Sequence, residues 1–256
     1  MVHLEAVPNF RDIGGHRTAN SRRIRKGRVF RSGHLANATN ADLQVLQQLG
    51  IGTVLDLRDP SDVSVQGEDR LPDGATLVQI PGAVDTNASI YALFDDGTPE
   101  EIEQTFPLGA ARELMLTSAI DWSRDESRRE RLAEIIRWVI KTDTPTLIHC
   151  AAGKDRTGFA SAVIQWALGA PENVIVDDYL RSNEERREEI AAMLLTLQAR
   201  GVAHDLLEPF MVQREEYMRS YLHAARELWG DVDGYLRMGL GLSDEEVAAL
   251  RHYLLD

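Results

Sequence analysis

The chain has 256 residues, 43% of them hydrophobic and 27% charged, with a formal net charge of −13; these are the proportions of a soluble globular protein with one large domain or two small ones. The acidic balance argues against wholesale nucleic-acid binding, and no apolar run approaches the ~18 residues of a membrane helix. The single cysteine, Cys150, cannot form an internal disulfide and fits a reducing compartment.

The N-terminal stretch "MVHLEAVPNF" lacks the basic-then-apolar pattern of a secretory signal. The expected location is therefore the cytoplasm, with secretion by a route without a cleaved signal as the alternative. Residues 1–31 hold eight basic and two acidic residues, about +6, which leaves about −19 for the remainder. The run "HRTANSRRIRKGR" reads as a peripheral contact for anionic membrane headgroups or as a solvated turn, and the acidic remainder favours the turn.

"GRVFRS" reads as a short strand, and "TNADLQVLQQLG" as a helix capped by Thr39, striped by Leu43, Leu46 and Leu49, and stopped by Gly50. "TVLDLR" reads as a buried strand and "ATLVQIP" as another. Residues 82–124 mix turn residues with helical pieces such as "GAARELMLTSAIDW"; they read as an insertion, either a lid or specificity segment over a site or a packed helical excursion. "ESRRERLAEIIRWVIKT" is an amphipathic helix, "PTLIHC" a strand, and "FASAVIQWALG" a buried helix. From 171 onward the chain reads as helical, and Ser243 with Glu246 forms a capping box for the last helix. Strands alternating with helices predict an α/β fold, a parallel or mixed sheet with helices around it and a helix-rich C-terminal part.

The chemistry concentrates in "HCAAGKDRTG", residues 149–158, set between a strand and a buried helix. A loop wrapping before a helix N-terminus aims backbone N–H groups into one concavity, where the helix dipole adds positive potential. Residues Ala151, Ala152, Gly153, Lys154 and Asp155 would form that phosphate cradle. A thiol at a helix N-terminus beside cations ionises readily, and thiolate is a strong nucleophile, so Cys150 is the candidate nucleophile. The planar guanidinium of Arg156 can hold two phosphoryl oxygens at once. Thr157 could hydrogen-bond the sulfur and ease its departure. Lys154, one of only three lysines in the chain, adds a mobile charge at the rim.

Rival loops fail on spacing. A Walker loop needs Gly at 148 and Ser or Thr at 155, where the chain has Ile148 and Asp155. A zinc site lacks partner cysteines. His149 and Cys150 are neighbours on a strand and point to opposite faces, which argues against a Cys-His dyad and leaves His149 to orient the loop or tune the sulfur. A buried structural cysteine explains none of the surrounding charge.

The string resembles the signature of cysteine-based protein tyrosine phosphatases. "NFRDIGG", "RVFRSGHL", "GIGTVLDLRDPSD" and "DDYLRSN" extend the resemblance, in order, to the bacterial atypical tyrosine/serine phosphatases. The resemblance implies one phosphatase-type α/β domain over residues 1–256, with a helical lid and no metal or organic cofactor. It implies phosphorylated protein, phosphoinositide or inositol phosphate as substrate and inorganic phosphate as product. A catalytically silent phosphate-binding module and a sulfurtransferase are the alternatives. Cleavage also needs a proton for the leaving oxygen. Asp56, Asp59, Asp85 and Asp155 are candidates, and the resemblance points to Asp85. Asp56 is expected to pair with Arg58, and Arg11 with Asp12, as buttresses of the loop.

Overall fold

A computed structural model of the chain describes residues 2–81 and 97–256. Five strands, β1 (Arg11–Asp12), β2 (Val29–Ser32), β3 (Thr53–Asp56), β4 (Thr76–Gln79) and β5 (Thr146–His149), form one sheet in the order β1-β2-β5-β3-β4. Only β1 runs antiparallel to its neighbour. The sheet is the mixed α/β one predicted from the alternation of elements.

Strand alternation divides the core in two. Phe30, Val54 and Leu147 face a cluster built from the N-terminal segment and α1 (Asn40–Gln48), including Leu4, Phe10 and Leu46. Val29, Leu55 and Ile148 face a larger cluster built mostly from later helices. Thr39 caps α1 as expected, and Gly50 follows it at φ +73°. Strand β4 departs from expectation. It is an edge strand, and Thr76, Leu77 and Gln79 are exposed, because no described element covers its outer side.

Helix α2 (Pro60–Gln66) follows β3. Within the segment read as an insertion, residues 82–96 lie outside the described residues. The rest forms α3 (Pro99–Thr105) and α4 (Ala110–Arg124). Ala111, Met115, Ala119 and Trp122 of α4 are buried, mostly against α10 (Glu215–Trp229), so that helix is a core element. Helix α5 (Glu126–Lys141) buries Leu132, Ile135, Ile136 and Val139 along one face. Every residue of α6 (Arg156–Ala167) is buried, which explains its all-round apolar sequence.

The helical run from 171 is broken where the sequence offered no glycine or proline to mark it. Helices α7 (Glu172–Glu185) and α8 (Arg187–Ala199) meet at Arg186, whose side chain is buried. Helix α9 (His204–Met211) ends before α10 at the extended Val212. A short turn, α11 (Val232–Gly234), runs into a π-helical stretch, Tyr235–Gly239, before α12 (Asp244–Leu254), which carries the Ser243–Glu246 capping box. Three of the six basic residues in the N-terminal run bond backbone carbonyls of the fold. Arg22 donates to the Asp256 carbonyl at 2.7 Å, Arg25 to the Tyr253 carbonyl at 3.0 Å, and Arg23 to the Gly15 carbonyl at 2.8 Å.

Candidate active site

The parallel strands β2, β3 and β5 end side by side at Ser32, Asp56 and His149, and the segments leaving them make the site. Such carboxyl ends are where α/β sheets hold their ligands. Residues 150–155 form the loop, and Arg156 opens α6.

The carbonyls of this loop are tied outward. Asn9 donates its amide to the carbonyls of Gly153 at 2.8 Å and Ala152 at 3.3 Å. Arg31 donates to the Gly153 carbonyl at 2.9 Å, and the His34 amide to the Ala151 carbonyl at 3.0 Å. Carbonyl and following N–H point to opposite sides of a trans peptide. Holding these three carbonyls outward therefore turns the amides of Ala152, Gly153 and Lys154 the other way. Gly153 has φ +68°, and a Cβ there would lie 2.2 Å from the Ser32 carbonyl oxygen, so only glycine fits.

A buried ion-pair network fixes the anchors. Asp178 on α7 receives Arg11 Nε at 2.8 Å and Arg31 Nη1 at 2.7 Å. Arg11 also bonds the side chain of Asn9 and the Asp178 carbonyl. Burial alone would raise the Asp178 carboxyl, but Arg11 and Arg31 overcome it and lower its pKa to about 2. Arg11 bears part of the cost: its own burial, with Arg31 nearby, lowers it to about 10. The expected Arg11–Asp12 pair is not the one formed. Asp12 instead accepts the amides of Gly14 at 2.7 Å and Gly27 at 2.6 Å, shaping the turn between β1 and β2.

A second network lies under the other side of the loop. Asp56 and Arg58 pair at 3.0 Å as expected, and Arg58 also reaches Asp69 at 2.8 Å. His149 Nε2 lies 3.0 Å from Asp69 Oδ2, and its Nδ1 lies 3.3 Å from the Cys150 carbonyl oxygen. Burial would raise the Asp69 carboxyl, but His149 and Arg58 hold it below the usual carboxylate range. Among the described residues Asp56, Asp69 and His149 are the one grouping spaced like metal ligands. The Arg58 guanidinium already supplies the cation between their two carboxylates.

Cys150 is 3% exposed at the start of the loop. The hydroxyl of Thr157 is buried without a hydrogen-bond partner among the described residues. Arg156 Nη1 is held by Asp62 at 2.6 Å, Asp59 at 3.4 Å and the Leu57 carbonyl at 3.1 Å. Lys154 is not a mobile rim charge. Its side chain is buried, and Nζ donates to the Phe210 carbonyl at 2.6 Å and to Asp155 at 2.8 Å. Asp155 also accepts from Gln213 at 2.8 Å. Its burial favours the neutral acid, but Lys154, Gln213 and Arg186 prevail and hold its carboxyl below the usual range. Asp85 lies outside the described residues. Beside Ala151 and Ala152 opens a cleft of about 1310 Å³, walled by residues 2–10, α2 and the α7–α8 junction.

A model described as the tyrosine phosphatase family matches residues 2–256. The chain belongs to the tyrosine phosphatase family. One family relative, a Cupriavidus necator protein named as a tyrosine-protein phosphatase, is 33% identical over 98% of this chain and 87% of its own length. Another, the triple specificity protein phosphatase PtpB of Mycobacterium tuberculosis, is 31% identical over 98% of each chain. Among solved structures, the core catalytic domain of the PP-IP phosphatase SIW14 of S. cerevisiae matches 89% of this chain and 97% of its own at 16% identity, with a TM-score of 0.38.

Several residues of this phosphatase site escaped the sequence reading as individuals. Asn9, Arg31 and Asp178 stand in the motifs that carry the family resemblance, which by itself gives them no individual role. The signal for Arg31 was its place in "VFRS": a guanidinium in a central strand needs a buried partner. Asp62 closes the motif "GIGTVLDLRDPSD", and Asp69 and Gln213 carry no comparable signal.

Proposed function

We propose that the chain is a metal-independent phosphomonoester hydrolase working through a phosphocysteine intermediate. The observation that carries this reading is the outward tying of three successive loop carbonyls around Cys150. A cradle of inward amides at a helix N-terminus suits a phosphoryl group and its developing charge.

Cys150 Sγ attacks phosphorus as the thiolate, the S–P bond forms, and the ester P–O bond breaks. The amides of the loop and Arg156 stabilise the phosphoryl oxygens. Arg156 first gives up its hold on Asp62. The leaving oxygen takes a proton from Asp85. Asp155, Asp59 and Asp62 are each held by a cation, Lys154 for the first and Arg156 for the others, and Asp56 is held by Arg58. Water then attacks phosphorus and gives its proton to the aspartate. The S–P bond breaks, helped by a hydrogen bond from Thr157 to the departing sulfur, and inorganic phosphate leaves.

The substrates on this reading are phosphotyrosine and, more widely, phosphoserine and phosphothreonine. The name of the PtpB relative supports a range wider than one residue type. Phosphoinositides are a further class to test. The reading is tested by turnover of an aryl phosphate with chelator present, by native chain and Cys150→Ser. Turnover by the native chain alone is expected; equal turnover by both would overturn the mechanism. Binding of phosphate without turnover by the native chain would mark a silent binding module instead, and cyanide-dependent turnover of thiosulfate a sulfurtransferase.

A further inference from the structure

The cleft beside the loop is larger than a phosphoryl group needs, and its lining selects what accompanies that group. Ala151 and Ala152 of the loop form part of its wall, so it is continuous with the cradle. Apolar surface is available there: Val65 on α2 is 82% exposed, and Val2 is 43% exposed. The charged lining is Glu5, Asp62, Glu184, Glu185, Glu188 and Glu189 against Arg186 and Arg187.

Pairing offsets part of that excess: Asp62 is held by Arg156 at 2.6 Å, and Arg187 stands exposed on the same wall. Arg186 is buried and engaged by Glu189 at 2.8 Å. Glu185 is answered by Arg181 at 2.7 Å. Glu184 and Glu188 are exposed at the α7–α8 junction and have no ion-pair partner among the described residues. The cradle is thus a local positive field set at the side of a negative, partly apolar cleft. An inositol carrying several phosphates would bring its further negative charges against these carboxylates. A peptide with one phosphate and flanking cations would meet complementary charge on both counts.

Resting on the phosphatase reading above, we infer that the substrate is a phosphorylated protein segment with lysine or arginine beside the phosphoresidue, seated in this cleft with its apolar side chains toward Val2 and Val65.

The test uses two phosphotyrosine peptides that differ only in flanking residues, lysine and arginine in one, glutamate and aspartate in the other. Vesicles carrying a phosphoinositide form a third arm. The basic peptide is expected to have a kcat/KM about tenfold higher at low ionic strength, with the ratio shrinking as salt rises. In the double variant Glu184→Gln, Glu188→Gln that ratio should fall toward one. Equal kcat/KM for the two peptides, or a preference for the acidic peptide or for the vesicles, overturns the inference while aryl phosphate turnover leaves the phosphatase reading standing. Should the native chain fail on aryl phosphate, the phosphatase reading fails. Affinity of the Cys150→Ser chain for the two peptides then still decides the cleft: tighter binding of the basic one supports it, and equal binding sinks it.

Discussion

Arg31 and Asp178 meet at 2.7 Å behind the loop of residues 150–155, with side chains 0% and 5% exposed. Removing one member of a buried pair strands the other. Arg31→Ala is expected to lose about 3–5 kcal/mol of stability and to release the Gly153 carbonyl. Urea unfolding reads the first effect, and phosphate affinity of the surviving folded fraction reads the second.

Acid should loosen the same network. The Asp178 carboxyl stands at about 2, below its ordinary 3.8. A depressed acid contributes stability above its unfolded value and loses it as pH falls through the folded one. The gross contribution is about 2 kcal/mol, and the lowered pKa of Arg11 offsets part of it. Stability should therefore be retained down to about pH 4 and fall between there and pH 2. In Asp178→Asn that part of the acid transition should be missing from the urea midpoint plotted against pH.

Cys150→Ser and Arg156→Ala are each expected to abolish turnover while the far-ultraviolet circular dichroism stays native. Retention of native turnover by either would refute the proposed chemistry.

On the proposed chemistry Asp62 competes with substrate for Arg156, since it holds Nη1 at 2.6 Å. Asp62→Asn weakens that competitor. The variant is expected to bind inorganic phosphate several-fold more tightly, seen as a lower inhibition constant. An unchanged constant would show that Arg156 reaches phosphate without cost.

The proton donor is separated from its rivals by leaving group. Asp85→Asn should slow an alkyl phosphate far more than an aryl phosphate, because an alkoxide leaves poorly without a proton. Asp155→Asn should affect both alike, through the freed Lys154. The reverse pattern would move the proton donor into the loop itself.

Gly153→Ala brings a methyl group to 2.2 Å from the Ser32 carbonyl oxygen at a φ of +68°. Overpacking and strain together should cost about 3 kcal/mol, visible as a lower melting temperature. A silent substitution would show that Ser32 can yield.

What the sequence made legible was local. The strand–loop–helix around Cys150, the Thr39 and Ser243 caps and the Asp56–Arg58 pair are separated by few residues, so spacing suffices to read them. Partners far apart in the chain were not legible. Arg11 offered a neighbour, Asp12, and took Asp178 instead, because the strand sends adjacent side chains to opposite faces. Lys154 looked exposed because lysine usually is; the Phe210 carbonyl that buries it lies on a helix whose packing no local pattern specifies. The break at Arg186 is of the same kind, made by tertiary contacts rather than by a helix-stopping residue.

The anchors of the loop also set an order of events. Asn9 and Arg31 precede Cys150 by more than a hundred residues, and Asp178, which fixes Arg31, follows it. Contacts this distant in sequence form slowly, after local helices. The segment from β5 into α6 can fold early without them, but its carbonyls are then untethered. During refolding, helical signal should return ahead of turnover. On the proposed chemistry, a nascent chain that has already displayed its cysteine is expected to stay inactive on the ribosome until α7 has emerged.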